Sequence, residues 1–510
     1  MKRWPPLVLI AALLVGGLIL GRDGSTRSDD AVADVDPATL LPVAAPADAL
    51  DGSWFCAGQS AGDDTPADGT LIVANVGDTT ATGTVEVIAA GGEEPVVEPL
   101  EVAARTTERI RLADILEADW VAAQVQVEGG TVVVEHEVVG ELGRDVAPCQ
   151  SRASDSWLLP AGASTRDASF TLAIYNPYGG EARLDLSFTT EDTVREPPDL
   201  QGLAVGPGAL VAVDVSGVVT ERAVIATTVS ATRGQVVVDR IQTYDGQGAA
   251  TTDEEAEEET FQREGLTVTP AVPAPQRVWS FPAGVKAGFL HEQVVLFNPN
   301  DDTAEVELEV ALDDPERNGV LDALPVTVPP GEFTVFDVDA VESIPDGVAH
   351  SITVRSEDVP IVAERTLAAA SEDTLPYIGT AASTGSPVAA DRWVFATGPE
   401  ADVDTGRIVV VNPGDAAVEV EVAAFGAGET TPVGEDAAGA SSSTFTLEPG
   451  ARRDVFIDDL DDDARSLSVV ADGPIVAERR MVPVESEEET GRGISLSIGI
   501  PLRDGLALLG

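Results

Sequence analysis

Few residues in this chain are of the types that carry catalysis or bind metals. Among its 510 residues are three histidines, His136, His291 and His350, and two cysteines, Cys56 and Cys149. His291 and Glu292 begin like the zinc-binding helix of a metalloprotease, but Val295 stands where the second histidine is required. The stretch also alternates like a β-strand, which cannot present two ligands at that spacing. We therefore expect no zinc site there.

A second catalytic pattern, Gly58-Gln-Ser60-Ala-Gly62, matches the nucleophile elbow of hydrolases. An elbow needs a helix after its serine, whereas residues 63–66 (Asp-Asp-Thr-Pro) are typical of a loop. Ser60 with His136 as its base is one hypothesis, and a glycine-rich turn is the simpler interpretation. The sequence also lacks a Gly-x-x-x-x-Gly-Lys phosphate loop. We predict that the protein is not an enzyme.

The charge of the chain limits its partners. It carries 88 Asp and Glu against 30 Lys and Arg, a formal net charge of −58. Because a phosphate backbone would be repelled, nucleic-acid binding is excluded. The acidity is typical of a well-hydrated surface, and cation or basic-ligand binding is the alternative. Acid clusters at residues 300–302 and 458–463 could offer oxygens to Ca²⁺, although neither has EF-hand spacing. Calcium is the only cofactor we consider, and solvated loops remain the simpler interpretation.

The N-terminus indicates export. Lys2 and Arg3 precede an uncharged apolar run from Leu7 to Gly21, which favours a cytoplasmic N-terminus and an extracytoplasmic remainder. The length of the run fits either an uncleaved signal-anchor in the membrane or a cleaved signal peptide. We therefore expect a single-pass cell-membrane protein, or a secreted one if the signal is removed.

Four copies of one unit follow, marked by landmarks at fixed spacing. Each opens on a tryptophan and continues to a strand that ends in asparagine. The tryptophans are Trp54, Trp157, Trp279 and Trp393, and the asparagines are Asn75, Asn176, Asn298 and Asn412. The separation is 19 residues in the last three copies and 21 in the first. We expect each tryptophan to lie in a core, with an exposed sugar-stacking platform as the alternative, and each asparagine to cap a turn.

Each copy closes on a β-branched strand that ends in an acid followed by a basic residue or histidine. The pairs are Glu135-His136, Asp239-Arg240, Glu364-Arg365 and Glu478-Arg479. Neighbouring residues of a strand point to opposite faces. An ordinary strand-end ion pair, worth less than about 1 kcal/mol, is the simplest interpretation. Alternatively, Arg365 and Arg479 reach an acid or an aromatic ring of an adjacent domain.

Between the landmarks, apolar and acidic residues alternate with period two, as in half-buried antiparallel strands. About seven short strands per copy predict an all-β chain of four tandem Ig-like β-sandwich repeats. The expected boundaries are 1–21 (signal-anchor or signal peptide), 22–48 (flexible acidic stalk), 49–150, 151–248, 276–388 and 389–510 (repeats 1 to 4), and 249–275 (acidic, proline-rich linker). Cys56 and Cys149 lie near the two ends of repeat 1 and are expected to form a disulfide in an oxidising compartment; two free thiols are the alternative.

These motifs give the chain a resemblance to an uncharacterised actinobacterial family of exported, membrane-anchored proteins, known as a domain of unknown function. The resemblance covers about residues 50–500 and rests on the opening Trp54-Phe-Cys56, the three Asn-Pro turns that begin at Asn176, Asn298 and Asn412, and the Glu-Arg pairs. It implies an envelope location and supplies no catalytic residue.

The sequence thus predicts a non-catalytic structural or interaction protein of the cell envelope, with its repeats arranged in a rod or an arc. A binding module for an envelope polysaccharide or a partner protein, with an inter-domain groove as the site, is the alternative. A calcium-rigidified, adhesin-like stalk is the third possibility.

Overall fold

The computed structural model describes residues 35–246, 263–313, 321–369, 377–400, 403–426, 428, 430–433, 444–457, 460, 465–484 and 491–509. Within them the chain is all-β, as predicted, apart from three single-turn 3₁₀ helices at Pro37–Thr39, Leu112–Asp114 and Pro198–Leu200. None of the helices in this part is long and apolar enough to cross a membrane. The predicted anchor, residues 22–34 of the stalk, residues 249–262 of the linker and most of the 458–463 acid cluster lie outside the described residues.

The first eight strands form two sheets around one core, which we call unit 1. They are β1 (Asp51–Ala61), β2 (Asp68–Asn75), β3 (Ala81–Ala89), β4 (Val96–Val102), β5 (Thr107–Arg111), β6 (Ala118–Glu128), β7 (Val132–Gly140) and β8 (Gly143–Pro148). One sheet has the order β4-β3-β6-β1 and the other β5-β2-β7-β8. Pairing is antiparallel except for a short parallel contact between β1 and β2.

Units 2 and 3 repeat this arrangement. Unit 2 comprises β9 (Ser156–Leu159), β10 (Ala168–Tyr175), β11 (Ala182–Thr189), β12 (Val194–Arg195), β13 (Gln201–Val205), β14 (Leu210–Asp214), β15 (Ala226–Arg233), β16 (Val237–Asp245) and β17 (Glu264–Pro270). Unit 3 comprises β18 (Val278–Val285), β19 (Leu290–Phe297), β20 (Ala304–Leu312), β21 (Leu324–Val328), β22 (Phe333–Asp337), β23 (Ala349–Ser356), β24 (Val362–Ala369), β25 (Tyr377–Ile378) and β26 (Thr380–Thr384). The second sheets have the orders β14-β10-β16-β17 and β22-β19-β24-β26, matching that of unit 1.

Unit 4 has the same plan with one long strand shared by both sheets. Its strands are β27 (Val388–Phe395), β28 (Asp404–Val411), β29 (Val418–Phe425), β30 (Thr430–Pro432), β31 (Thr444–Leu447), β32 (Arg452–Ile457), β33 (Ser466–Pro483), β34 (Gly491–Arg492), β35 (Ser495–Ile498), β36 (Ile500–Pro501) and β37 (Ala507–Leu508). The first part of β33 pairs with β27 and β29, and its second part pairs with β28 and β35.

Period-two alternation produces these sheets. In β29, Val418, Val420 and Val422 are buried while Glu419 and Glu421 are exposed. Each unit has an apolar core to which both of its sheets contribute. Burying one face while solvating the other fixes the register of each strand, because a slip of one residue would expose the valines.

The last strand of each second sheet is an eighth strand that sequence analysis did not assign. In unit 2 it is β17, which lies within residues 249–275, the expected linker. The interpretation of residues 264–270 as linker is therefore wrong. Thr267, Val268 and Thr269 form a buried β-branched run, and the prolines around them gave the segment the composition of a linker.

These eighth strands close the molecule into a ring. β8 contacts β17, β17 contacts β26, β26 contacts β35, and β35 contacts β8. Each unit therefore touches two neighbours, and unit 4 packs against unit 1. The rod or arc suggested by the sequence is not what the described residues form. Alternation along single strands carries no information on how finished units pack together.

Residues 35–48, which we call the strap, were expected to belong to the flexible stalk. Instead they pack against units 4 and 1. Ala44 forms a parallel bridge to Leu502, and Leu40 is buried in the core of unit 4. The stalk interpretation is wrong for these residues. A segment without periodicity can still be held through a few buried apolar side chains.

Candidate functional site

The four landmark tryptophans are core residues. Trp54, Trp157, Trp279 and Trp393 are between 0 and 2% exposed. In units 2 to 4 the indole N–H donates to a carbonyl oxygen close to the acidic landmark: Trp157 to Val236, Trp279 to Ile361 and Trp393 to Ile475, at 2.7, 2.8 and 2.9 Å. The burial of these rings removes the alternative that they form a platform for stacking a sugar.

The four landmark asparagines hold turns through their side chains. The side-chain oxygen accepts a hydrogen bond from the backbone N–H two residues later, at Gly77, Tyr178, Asn300 and Gly414. The side-chain amide of Asn176 donates to the carbonyl oxygens of Gly180 and Val205, and the other three asparagines do the same at equivalent positions. Each asparagine thus joins the end of one strand to its own turn and to a second strand.

Cys56 and Cys149 form a disulfide, with 4.7 Å between their Cα atoms and a sequence separation of 93. The bond ties β1 to the residue that follows β8, and so connects the two sheets of unit 1. Both cysteines belong to the apolar core of that unit.

The landmark acids form joints between units. Each accepts a hydrogen bond from a backbone N–H that lies a few residues after the landmark tryptophan of the preceding unit in the ring. Glu135 accepts from Thr397 (3.1 Å), Asp239 from Ala57 (2.8 Å) and Gly58 (2.9 Å), Glu364 from Ala161 (3.0 Å), and Glu478 from Ala283 (2.8 Å). All four carboxylates are buried. We call these four contacts the joints.

The landmark arginines complete three of the joints. Arg240 pairs with Glu364, Arg365 with Glu478 (2.5 Å) and Arg479 with Glu135 (2.8 Å), and all of these side chains are buried. Arg365 and Arg479 also lie 5.6 and 5.4 Å from the ring centroids of Phe281 and Phe395. The simple strand-end pair is thus not formed: neighbours on a strand face opposite ways, so each arginine reaches the next unit's acid. Burial raises the pKa of Glu135 and Glu364, although the facing arginines lower it.

The joint between units 1 and 2 lacks an arginine, because His136 occupies that position. Its Nδ1 lies 3.0 Å from the side-chain oxygen of Gln59, and its Nε2 is buried without a hydrogen-bond partner. Oδ1 of Asp239 is also buried without a partner. Burial lowers the pKa of His136 to about 4 and raises that of Asp239 to about 7. This joint is therefore the weakest electrostatically.

In the part of the chain that the structure describes, no hydrogen bond joins Ser60 to His136. Ser60 is buried and its hydroxyl accepts the N–H of Ala67, whereas His136 contacts Gln59. Glu292 is buried beside His350 and Arg365, and its Oε2 atom lies 3.2 Å from Nε2 of His350. Burial acts to raise the pKa of Glu292, but the interactions with His350 and Arg365 outweigh it, and the pKa is lowered.

One group of side chains in the described residues has metal-ligand character. His291, Asp337 and Asp339 place one ligand atom each within 4.8 Å of one another, with 2.8 Å between Nδ1 of His291 and Oδ2 of Asp339. All three are half-buried. At residues 300–302, by contrast, Asn300 is used in the turn of Asn298, and Asp301 and Asp302 are exposed.

A cavity of about 600 Å³ lies where unit 4 meets unit 1. We call it the seam cavity. Among the described residues, its lining includes Ile72, Thr106, Thr107 and Arg109 from unit 1 and Ala396, Thr397, Glu400, Gly426, Arg465 and Ser466 from unit 4. A second cavity, of about 50 Å³, lies on the ring axis and is lined by all four units and by residues 40–42 of the strap. Sequence analysis did not find either one, because their walls come from residues hundreds of positions apart.

Comparison with known proteins identifies a family but no function for the chain. No curated protein matches the chain. Two solved structures share 22% identity with it: the Anabaena sensory rhodopsin transducer (18% of this chain and 80% of that chain, TM-score 0.16) and Thermotoga maritima 1070 (22% and 93%, TM-score 0.19). At these TM-scores neither likeness supports an argument about fold or function. A model of a family of unknown function, DUF5719, matches residues 138–260 and 262–492, which is more than half of the chain. The chain therefore belongs to the DUF5719 family.

Proposed function

We propose that the chain is a non-catalytic structural or interaction protein of the cell envelope. It is exported, is held at the membrane by its N-terminal apolar segment, and presents four Ig-like β-sandwich units as one closed ring. The joints are the observation that carries this proposal. Buried, charged groups are where catalytic machinery is commonly found, and here the landmark acids and arginines bind one unit to the next.

The distribution of charge supports the same role. The valine-rich strands bury one face in each unit and leave carboxylates on the other, so the outer surface is strongly acidic. A rigid body with such a surface resists nonspecific association with other acidic molecules. It suits a component that presents fixed binding surfaces outside the cell.

Location and role can be tested in the organism that makes the protein. We expect the full chain with a C-terminal epitope to sediment with membranes, and to be degraded by protease added to intact cells. A chain with residues 4–21 replaced by a polar linker is the matched control and is expected to stay inside. Cytoplasmic, protease-protected full-length protein would refute the export proposal.

A binding module for an envelope polysaccharide or a partner protein is the second candidate, and the seam cavity favours it. The cavity opens between two units, as expected for an inter-domain site. Its lining holds hydroxyl, guanidinium and carboxylate groups, which are the groups that recognise polar ligands.

A further inference from the structure

The seam cavity, of about 600 Å³, is much larger than a cavity of about 40 Å³ that lies between units 2 and 3. We compare two positions at each contact between units. One is the residue before the landmark asparagine, and the other is the residue paired with it on the neighbouring strand of the sheet. Between units 1 and 2 these are Tyr175 and Leu210, and between units 2 and 3 they are Phe297 and Phe333. In unit 1 they are Ala74 and Thr107. Small side chains therefore leave open a space that aromatic rings fill between units 1 and 2 and between units 2 and 3. Between units 3 and 4 the two positions are Val411 and Arg452.

The other contacts confirm that these positions face the neighbouring unit. The hydroxyl of Tyr175 donates to the side-chain oxygen of Gln124 in unit 1 at 2.9 Å. Phe297 belongs to a core that includes Leu158 of unit 2. In unit 1, the hydroxyl oxygens of Thr107 and Ser466 lie 2.6 Å apart across the seam. The cavity thus arises from a local difference in sequence, at an interface that is otherwise repeated between units.

The described lining holds two arginines and one glutamate, in a chain with a large acid excess. Arg109 is about one-third exposed, and its Nη2 pairs with Glu137, which also pairs with Arg144. Among the described residues, Nε and Nη1 of Arg109 have no hydrogen-bond partner. On the opposite wall, which unit 4 forms, Arg465 pairs with Glu400 at 2.9 Å. Nη1 of Arg109 keeps its hydrogens for a ligand, and a carboxylate that accepts from it makes a charge-assisted hydrogen bond.

The remaining groups indicate hydroxyl recognition. Ser466 donates its hydroxyl proton to the carbonyl oxygen of Ala396, so Thr107 donates to Ser466, and Thr397 donates to the carbonyl oxygen of Gly398. Toward a ligand these hydroxyl oxygens and the Glu400 carboxylate act as acceptors, which suits a ligand that carries several hydroxyl donors. No aromatic side chain appears in the described lining, so a stacked base or a flat apolar ligand has no platform. The volume of about 600 Å³ lies within the range of roughly 300–1,000 Å³ that is typical of small-molecule sites.

We propose that the seam cavity binds a small polyhydroxylated monocarboxylate of the hexuronic acid class. Arg109 holds the carboxylate, and the hydroxyl groups bind Thr107, Ser466 and Glu400. The net charge of −58 repels anions at long range, and it repels a phosphate dianion more than a monocarboxylate. The proposal gives a ligand chemistry to the second candidate function, and it stands or falls independently of the envelope location.

Calorimetric titration of the full chain in detergent tests it, with D-glucuronate, D-glucose, acetate and inorganic phosphate as probes. We expect D-glucuronate to bind, and each of the other three to bind at least about tenfold more weakly, because each lacks either the carboxylate or the hydroxyl groups. Glucose or phosphate binding as tightly as glucuronate would overturn the ligand class. No heat with any probe would overturn the site.

Variants locate the binding. Arg109→Gln should weaken glucuronate binding at least about tenfold, and Thr107→Phe, which copies Phe333 of unit 3, should abolish it by filling the cavity. Arg183→Gln is the matched control, because Arg183 is an exposed arginine that pairs with Glu181 in unit 2. Melting curves establish that each variant is folded. Wild-type affinity in both folded cavity variants would contradict the proposal.

Discussion

Asp239 is a buried joint carboxylate that has no cation against it in the described residues, and this has a measurable cost. Its counterparts Glu135, Glu364 and Glu478 each face an arginine of the unit before. Removing one partner of a buried pair leaves an uncompensated charge, which typically destabilises a protein by several kcal/mol. Unit 1 presents His136 instead, whose pKa of about 4 leaves it neutral at physiological pH.

His136→Arg is therefore expected to stabilise the protein by supplying the missing cation. The gain should be about 1–3 kcal/mol, the range for hydrogen bonds to charged groups. It should be larger at pH 8 than at pH 5.5, because the pKa of Asp239 is about 7 and the carboxylate is ionised at the higher pH. Denaturant unfolding at both pH values measures it. His136→Gln is the control and should show no gain that grows with pH.

Buried carboxylates also set the pH dependence of stability. Burial raises the pKa of Asp145 and Asp239 to about 7, from 3.8 in the unfolded chain. Between these values the folded state holds protons that the unfolded state has lost. The free energy of unfolding therefore falls as pH rises from about 4 to 7, by up to about 1.4 kcal/mol per pH unit for each group. His136, with its lowered pKa, acts in the opposite direction between about 4 and 6.5.

Asp239→Asn should remove one of these contributions. The variant is expected to lose less stability than the wild type between pH 5 and pH 8, since the amide oxygen can still accept the N–H groups of Ala57 and Gly58 and carries no charge. Chemical denaturation across that range checks it. An unchanged slope would mean that Asp239 is ionised in the folded protein.

At this scale the sequence showed which residues matter but not what they contact. The spacing of Trp157 and Asn176 was enough to predict a core ring and a turn. The position of Arg365 next to Glu364 indicated opposite faces, and one alternative placed it against an adjacent domain. Its partner Glu478 lies 113 residues away, and no local pattern connects two such positions.

Among the strands, too, the sequence predicts some and misses others. Strands such as β20 and β29 follow from alternation, because one face is buried and the other solvated. β17 was missed because its alternation is absent: it is buried on both faces, with Leu266, Thr267 and Val268 in succession. A strand at the centre of a ring has no solvent face, so it lacks the pattern that would reveal it.

The strap depends on a close approach to Gly130. A Cβ atom at that position would lie 1.9 Å from the carbonyl oxygen of Pro46. Gly130→Ala is therefore expected to displace the strap and to speed thermolysin cleavage before Asp51, with a loss of about 1–3 kcal/mol in stability. Gly180→Ala, where no atom lies within 4 Å, is the control. Unchanged cleavage in Gly130→Ala would show that the strap is not held there.

On the scale of the whole molecule, the described contacts between the units do not involve a metal ion. The joints consist of carboxylates bound to backbone N–H groups and arginines, so no two carboxylates have to be bridged across them. We expect the melting temperature to be the same in EDTA and in millimolar Ca²⁺, and unfolding to occur in one transition because each unit shares contacts with two others. Differential scanning calorimetry measures both. Stabilisation by Ca²⁺ would favour the calcium-rigidified stalk.

Ring closure was beyond the reach of the sequence. Four copies of one unit fit a string of beads and a ring equally well. The difference lies in surfaces such as β8 and β35, which meet although more than 300 residues separate them. The first copy has His136 where the other copies have arginine, and Ala74 where they have a larger side chain. These two differences indicate that its interfaces are not the same as the others.

The joints also restrict how such a gene can evolve. In a string of independent domains, unequal recombination adds or removes a copy and leaves the rest intact. Here the acid of each copy must fit the backbone of one neighbour, and in copies 2 to 4 the arginine must also fit the acid of the other neighbour. A fifth copy or a missing one would change the total rotation around the ring, so the last unit would no longer meet the first. Copy number should therefore be fixed at four, and substitutions in one copy should be matched in the next.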